Sequence, residues 1–389
     1  MQEGKVIYST LPGAGGEYMN RRIKGLITFI IMLCITLAIT LSSFIIDYRE
    51  YLGLKRDGWE KSGLKEQGMD LGLVYSAGEY LADESNACSL IVARHGKIVY
   101  ERYYKGNWSN YNNIYGITKC VVAALIGAAL QQGYIKDVNQ PFGEVIGCCQ
   151  DPGKNRGREI TVKHLLTMTS GFTDKEYNEF SFNYTTEQRQ KNIKHVELME
   201  GVRAFIGSIE AEERFENCST SYDFLSWAIT GTTGTSANKF AYENIFMKLG
   251  ISKKLYRWNG KDKGYSSGSG GIYMRPRDMA KLGQLYLDKG VWKGKQLLPL
   301  KWVEESTKVQ VRFDNGEDAG FGYGWRITEK LGHKVFYAAG RGGQAIYVIP
   351  DLDIVVVHTI VSRSVDEPET GMIKDILSEY IIPAVKDVN

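Results

Sequence analysis

One lysine in this chain is placed to take part in acyl chemistry. The stretch from Asn113 to Gly133 opens with polar residues and continues with apolar residues at helical spacing, which predicts a buried helix that ends at Gly133. Lys119 follows Gly116 by three residues in the first turn, so its ammonium group is expected near position 116. A helix N-terminus stabilises negative charge, and a lysine can remove the proton of a nucleophile. Position 116 is where an attacking group would be expected, and it is a glycine.

The four residues from Gly116 to Lys119 permit two interpretations. In serine acyl-transfer enzymes with an S-x-x-K motif, the first position carries the nucleophilic hydroxyl. A G-x-x-K sequence also fits an ordinary helix start with a surface lysine. Other features of the sequence are needed to distinguish a catalytic site that lacks its nucleophile from an ordinary helix start.

The composition is that of a globular protein with no sign of a nucleic-acid partner. The 389 residues suffice for one large domain or two ordinary ones, and 43% of them are hydrophobic and 24% charged. The net charge of +3 is small and no basic block stands out, which argues against nucleic-acid binding. We expect no cofactor, and a partner that is a small molecule, a peptide or a protein.

The cysteines and histidines do not form a recognisable metal site. Six cysteines show no C-x-x-C spacing and only five histidines are present, so we expect no zinc site. Cys34 lies in an apolar run. The other five cysteines are an odd number, which argues against a complete disulfide framework. The neighbours Cys148 and Cys149 are interpreted as packed thiols, with disulfide pairing to other cysteines as the alternative.

An apolar run near the N-terminus predicts a membrane anchor. Residues 25–46 are almost uncharged and long enough to cross a bilayer, with Arg21, Arg22 and Lys24 before them. We therefore expect a cytoplasmic tail over 1–24, a transmembrane helix over 25–46, and the remainder outside the cell membrane. A cleaved signal peptide and a buried soluble helix are the alternatives. Residues 47–84 are expected to be a stalk, either without regular structure or with one helix that leads to the domain, and 85–389 a domain with a helical insertion at about 125–265.

The pattern after the stalk predicts a sheet assembled from both ends of the domain. Cys88–Tyr104 reads as a hairpin, Ile160–Phe172 as a short helix, and 180–251 as mostly helical. His164 is interpreted as a helix-packing or hydrogen-bonding residue and not as a base, and the Ser266–Gly271 loop as a connector that lacks a phosphate-loop ending. The later predicted elements are a helix at Met279–Leu287, strands at Phe321–Ile327, Lys334–Ala338, Ala345–Ile349 and Ile354–Ile360, and a closing helix at Met372–Val385.

Five segments in fixed order carry a family resemblance. They are the helix at 116–133, ITVKHLLTMTSG at 160–171, GGIYMRPRDMAKLGQLYL at 270–287, FGYGW at 321–325, and AAGRGGQAIYVIP at 338–350. From about Cys88 to Val385 the chain resembles the superfamily of serine beta-lactamases and penicillin-binding proteins. Within it, the chain is most similar to class C beta-lactamases, esterases and nylon-oligomer (6-aminohexanoate-dimer) hydrolases. The resemblance implies an α/β protein of the α+β type, with a mostly antiparallel sheet flanked by helices and a helical insertion.

The resemblance also assigns site residues, two of which depart from the family pattern. Gly116 and Lys119 stand where the family has its serine and lysine, and the Y-x-[NS] triplet corresponds to Asn217, Cys218 and Ser219. The third motif, a K-T-G or H-x-G strand, corresponds to Ala338, Ala339 and Gly340, and Arg341 together with Gly116 would supply oxyanion-hole N–H groups. Thr118, Cys120, Cys218 and Tyr222 are expected to point elsewhere and not to replace the missing groups.

The departures imply impaired chemistry in a preserved pocket. Glycine has no side-chain nucleophile, and losing such a serine lowers turnover by roughly a million-fold. Asparagine cannot relay a proton as a tyrosine can. The leading hypothesis is a membrane-anchored protein that binds a peptide-like or acyl ligand. The alternatives are an active hydrolase of esters, amides or D-amino-acid peptides that uses Lys119, and a cell-surface scaffold.

Overall fold

The chain divides into an N-terminal unit, Met1–Gly58, and a second unit, Trp59–Asn389. The computed structural model describes residues 27–37, 59–84, 86–146, 160–171, 220–259, 266–313, 319–361 and 376–386. In the first unit, residues 27–37 are helical and carry exposed apolar side chains. No helix within the described ranges is long and apolar enough to cross a membrane. Half of the span predicted at 25–46 lies outside those ranges, namely residues 25, 26 and 38–46.

The second unit alternates helices and strands. Its helices are α1 (Leu71–Asp83), α2 (Thr118–Gln131), α3 (Phe142–Val145), α4 (Val162–Thr167), α5 (Thr220–Thr233), α6 (Ala237–Ala241), α7 (Pro276–Leu287) and α8 (Leu300–Ser306). Its strands are β1 (Ala87–Arg94), β2 (Lys97–Tyr103), β3 (Asn112–Asn113), β4 (Arg257–Trp258), β5 (Ile272–Met274), β6 (Val291–Trp292), β7 (Lys295–Gln296), β8 (Gly320–Phe321), β9 (Arg326–Lys330), β10 (His333–Gly340), β11 (Gln344–Ile349) and β12 (Ile354–Ile360). A π-helical turn, Leu377–Ile381, follows them.

The early and late strands share one antiparallel sheet, as the sequence predicts. Its order among the described strands is β2-β1-β12-β11-β10-β9-β8, so β1 from the first hairpin pairs with β12, the last strand. The β1–β2 turn uses His95 at φ 49° and Gly96 at φ 70°, and positive φ at both central residues suits a hairpin with a right-handed twist. Helices α2 to α6 come from the region between these two sets of strands.

Two hydrophobic cores cover the two faces of the sheet. One contains side chains of α2, α5 and α7 together with Val355 and Val357 of β12. Helix α7 lies close to the strands because a Cβ at Gly283 would stand 2.7 Å from Val355 Cγ1. The other core contains side chains of α1 and the C-terminal turn. Residues 59–84, which the sequence analysis assigned to a stalk, therefore include a helix that packs on the sheet.

Two predicted boundaries differ from the structure. The strand predicted at Phe321–Ile327 is wrong, since β8 and β9 are separate and the chain turns between them, with Gly324 at φ 79°. The FGYGW segment is rich in aromatic residues, and this composition favours a strand although its glycines allow a turn. Helix α7 starts at Pro276, because proline suits the first position of a helix.

Acid should destabilise the protein through His358, which is fully buried in β12. Burial lowers the pKa of its imidazole to about 4 from the ordinary 6.5. Between these values the unfolded chain takes up a proton that the folded chain does not, so stability falls as the pH drops from 6.5 to 4. The expected loss is about 3 kcal/mol over this window, measured by urea unfolding at several pH values.

A comparison of two histidine variants isolates this effect. His358→Leu should flatten the dependence of stability on pH between 4 and 6.5. His95→Asn removes an exposed histidine from a turn and should leave the dependence in place. An unchanged slope in His358→Leu would assign the acid sensitivity to other groups.

Candidate active site

The predicted catalytic helix is present, but Gly116 lies just before it. Residues Tyr115–Ile117 form a 3-10 turn, and α2 begins at Thr118. Tyr115 has φ 44°, an uncommon value for a residue with a side chain, and its N–H donates to Asn113 Oδ1 at 2.9 Å. The backbone strain beside position 116 is typical of a functional site. Gly116 itself does not have a positive φ, so its backbone suits any residue.

Gly116 and Lys119 line one pocket together with the middle of β10. The empty space of the pocket is about 280 Å³, part of which is open solvent, and Lys119 is only 7% exposed. The described lining residues are Gly116, Lys119, Met168, Phe321, Gly324, Arg326, Tyr337, Ala338 and Ala339. The structure therefore brings the serine-lysine position and two of the three residues of the third motif into a single cavity.

Two glycines allow the walls of this pocket to come close together. A Cβ at Gly340 would stand 2.4 Å from Ile114 O and 3.3 Å from Gly116 N, so only glycine lets β10 approach the 3-10 turn. A Cβ at Gly324 would stand 2.9 Å from Cys120 Cα and 3.0 Å from Lys119 O. Gly340, predicted as a binding residue, is thus a residue of close approach beside position 116.

The remaining predicted site residues are not among the described residues that line the pocket. Arg341 is exposed in the 3-10 turn Arg341–Gly343 and is absent from the described pocket lining. Asn217, Cys218 and Ser219 lie outside the described residues. The second motif therefore stays a prediction from the sequence.

Neighbouring hydroxyl and thiol groups are buried away from the pocket. Cys120 is 2% exposed, and burial raises the pKa of its thiol far above the usual range, which keeps it protonated. The Tyr222 hydroxyl donates to Leu166 O at 2.7 Å within the core, and Thr118 is fully buried. None of the described lining residues is a serine, threonine or cysteine. The described ranges also contain no cluster of three or more His, Cys, Asp or Glu residues that could hold a metal ion.

A buried carboxylate that sequence reasoning missed holds the Ser266–Gly271 loop. Asp223 of α5 is 5% exposed, and burial raises the pKa of its carboxyl, although hydrogen bonds from the loop oppose this rise. Its Oδ1 accepts from Gly268 N at 2.6 Å, Ser269 N at 3.0 Å and Ser267 Oγ at 3.1 Å, and its Oδ2 from Ser269 Oγ at 2.9 Å. The loop expected to be a plain connector is therefore fixed to the helical region.

This loop leads to the strand that supports position 116. It continues into β5, which pairs with β3 in the register Asn113↔Tyr273. The next residue, Ile114, donates its N–H to Ile272 O at 2.9 Å, directly before the turn that contains Gly116. A continuous path of hydrogen bonds and chain thus connects Asp223 to position 116. This contact could not be predicted from the sequence, because the loop follows Asp223 by more than 40 residues and no local motif links the two.

His164 has the structural role that the sequence analysis gave it. Its Nδ1 accepts from Thr161 N at 3.1 Å, and its own N–H donates to Thr161 Oγ1 at 3.3 Å. These reciprocal bonds close the first turn of α4. The helix ends at Met168 with φ 55°, and Met168 lines the pocket.

Comparisons with known proteins agree with this fold. A curated relative, 6-aminohexanoate-dimer hydrolase of Paenarthrobacter ureafaciens, is 22% identical over 299 residues, which cover 72% of this chain and 74% of the relative. The octameric penicillin-binding protein homologue from Pyrococcus abyssi is a structural neighbour with a TM-score of 0.60, at 21% identity over 81% of this chain and 77% of that chain. A D-stereospecific amidohydrolase from Streptomyces sp. has a TM-score of 0.56, at 17% identity over 80% of this chain and 98% of that chain.

The family comparison covers most of the second unit. The family model described as Beta-lactamase matches residues 80–374, a range that contains the 3-10 turn, the pocket and the whole seven-stranded sheet. The chain therefore belongs to the beta-lactamase family, in the serine beta-lactamase-like superfamily.

Proposed function

We propose that this protein binds a peptide-like or acyl ligand in the pocket beside Gly116 and turns it over slowly or not at all. The observation that carries the proposal is the pairing of Gly116 with Lys119 and Ala338 in one cavity, without a serine, threonine or cysteine among the described lining residues. The binding space of an acylating enzyme is retained, and its attacking oxygen is missing. Binding energy without a nucleophile gives recognition without acyl transfer.

The pocket has the features that such recognition needs. It is concave, and the surface that its described walls present is mostly polar, with two cationic side chains, Lys119 and Arg326, among the lining residues. Lys119 can donate to a carbonyl or carboxylate oxygen from its ammonium group. Two of the proteins named above are called a 6-aminohexanoate-dimer hydrolase and a D-stereospecific amidohydrolase, which makes short amides the first ligands to test.

The test is ligand binding without turnover by the full-length chain. The probes are the linear 6-aminohexanoate dimer and N-acetyl-D-alanyl-D-alanine, each followed by calorimetric titration, thermal unfolding and chromatography of the recovered ligand. A probe at 100 times its Kd should stabilise the protein by about 2.7 kcal/mol, and it should be recovered intact. Lys119→Met should abolish the shift while far-UV circular dichroism stays unchanged.

Two other outcomes would replace the proposal. Turnover that disappears in Lys119→Met would show a hydrolase in which the lysine activates water. Absence of any shift with either probe, and with a wider set of acyl compounds, would favour a structural role at the cell surface.

The N-terminal unit suggests where the binding takes place. We propose that residues 25–46 anchor the chain in the cell membrane, with the N-terminus in the cytoplasm and the second unit outside. The support is the apolar run after three basic residues, part of which, 27–37, is helical with exposed apolar side chains. Release of the full-length chain from membranes by alkaline carbonate would contradict this anchor.

A further inference from the structure

A buried cluster of three charged side chains lies where β5 leads into α7. Arg275 is the residue directly before the helix, and Asp278 and Lys281 belong to its first two turns. None of the three side chains exposes any surface to solvent. The cluster therefore holds two cations and one anion in the protein interior, which leaves an excess of one positive charge.

The guanidinium group of Arg275 is paired on one side only. Its Nε donates to Asp278 Oδ2 at 2.7 Å and its Nη2 to Asp278 Oδ1 at 2.8 Å, which is a bidentate pair. The remaining nitrogen, Nη1, is buried and has no hydrogen-bond acceptor among the described residues. A buried charged donor without an acceptor is costly, so Nη1 requires an acceptor that the described residues do not supply.

Lys281 uses the same carboxylate and so increases the imbalance. Its Nζ lies 3.3 Å from Asp278 Oδ1 and donates to Gly250 O at 3.4 Å. Among the described residues, no second aspartate or glutamate forms an ion pair with Arg275 or Lys281. One carboxylate cannot neutralise two cations, and an unbalanced charge costs far more in the interior than at the surface.

The surroundings of Arg275 Nη1 suit a small spherical anion. The Arg275 Cζ lies 5.9 Å from the centroid of the Trp108 ring, and Trp108 is half-buried in the turn before β3. The N–H donors of a guanidinium group lie in its plane, so those of Nη1 are directed toward a single position beside the group. An oxyanion has several oxygens that each need donors, whereas a halide can be held by one charged nitrogen.

We propose that this protein binds a chloride ion at Arg275 Nη1, inside the fold, and that the ion balances the charge of the Arg275, Asp278 and Lys281 cluster. None of these three residues is among the described residues that line the pocket, so the inference is independent of the proposed ligand. Arg275 directly follows β5, whose Ile272 carbonyl accepts from Ile114 N–H before position 116. The ion therefore stabilises the strand that supports that position.

The experiment measures Tm of the full-length chain against chloride concentration, with sodium gluconate keeping the ionic strength constant. The proteins compared are the wild type, Arg275→Met, Lys281→Met and Arg102→Met. Arg102 forms an ion pair with Glu79 at 2.6 Å in a partly exposed position, so its variant is the matched control. Above the Kd for chloride, each tenfold increase in chloride should raise the Tm of the wild type by about 2 °C.

The variants and a second measurement identify the site. Arg102→Met should keep the chloride response, Lys281→Met should reduce it, and Arg275→Met should lose it. Wild-type crystals grown in sodium bromide should show an anomalous peak in contact with Arg275 Nη1. An equal chloride response in all four proteins, a bromide peak only at the surface, or no peak would overturn the inference. If Arg275→Met fails to fold, Lys281→Met and the bromide peak still decide the result.

Discussion

The full-length Gly116→Ser variant is expected to form a covalent adduct with a fluorophosphonate probe, whereas the wild-type chain is expected to remain unlabelled. A serine at this position would place its hydroxyl in the pocket that Lys119 lines, and Gly116 has no positive φ that would strain the new side chain. Loss of such a serine costs roughly a million-fold in turnover, so its return should change labelling from undetectable to stoichiometric. Mass spectrometry of the tryptic peptide around position 116 measures the adduct.

A second substitution tests how much of the proton-transfer machinery is also missing. Adding Asn217→Tyr to Gly116→Ser restores the residue type that the family has at both positions. A positioned acid-base group contributes about a hundred- to ten-thousand-fold, so the double variant should react faster than Gly116→Ser by a factor in this range. Gly116→Ala adds a side chain of similar size without an oxygen, and it serves as the control that must stay unlabelled.

Two results would contradict this view of the site. Labelling of the wild type within the pocket would show that another group already acts as the nucleophile. Failure of the double variant to react, with its fold intact by circular dichroism, would show that the pocket has changed beyond the loss of two side chains. Either result would show that the similar shape of the cavity does not predict its chemistry.

The elements with strong local signals could be predicted from the sequence. The β1–β2 hairpin follows from alternating residues around a His-Gly turn, and α2 follows from its apolar run and the glycine at 133. The strands β10 to β12 were also predicted, because β-branched residues concentrate in them. Their assembly into one sheet from both chain ends followed from the order of the elements alone.

The features that position the site could not be predicted, because they depend on contacts between distant segments. The need for glycine at 340 comes from the carbonyl of Ile114, which is more than 200 residues away. The turn between β8 and β9 places Arg326 at the pocket, whereas the aromatic composition of this segment favours a continuous strand. Gly116 and Lys119 were found from their spacing at a helix start, Ala338 was found from the order of the family motifs, and the pocket brings the three together.

Asp223→Ala is expected to destabilise the protein strongly and to disturb position 116 at a distance. The Asp223 carboxylate accepts from two backbone N–H groups and two hydroxyls of one loop inside the protein. Alanine would leave those backbone donors buried without an acceptor, at a cost on the order of 4 kcal/mol. The expected fall in Tm is roughly 6 °C, measured by differential scanning calorimetry of the full-length chain.

The same substitution in the Gly116→Ser background distinguishes positioning from stability. The loop held by Asp223 continues into β5, whose Ile272 carbonyl accepts from Ile114 N–H just before the turn at 116. Gly116→Ser with Asp223→Ala should therefore react with fluorophosphonate more slowly than Gly116→Ser at a temperature where both are folded. Asp351→Ala removes a half-exposed carboxylate paired with His333 and should change neither Tm nor labelling appreciably. If Asp223→Ala lowered Tm but left the labelling rate unchanged, Asp223 would stabilise the fold without positioning the site. Strands β5 and β3 would then hold the turn at position 116 without help from the loop.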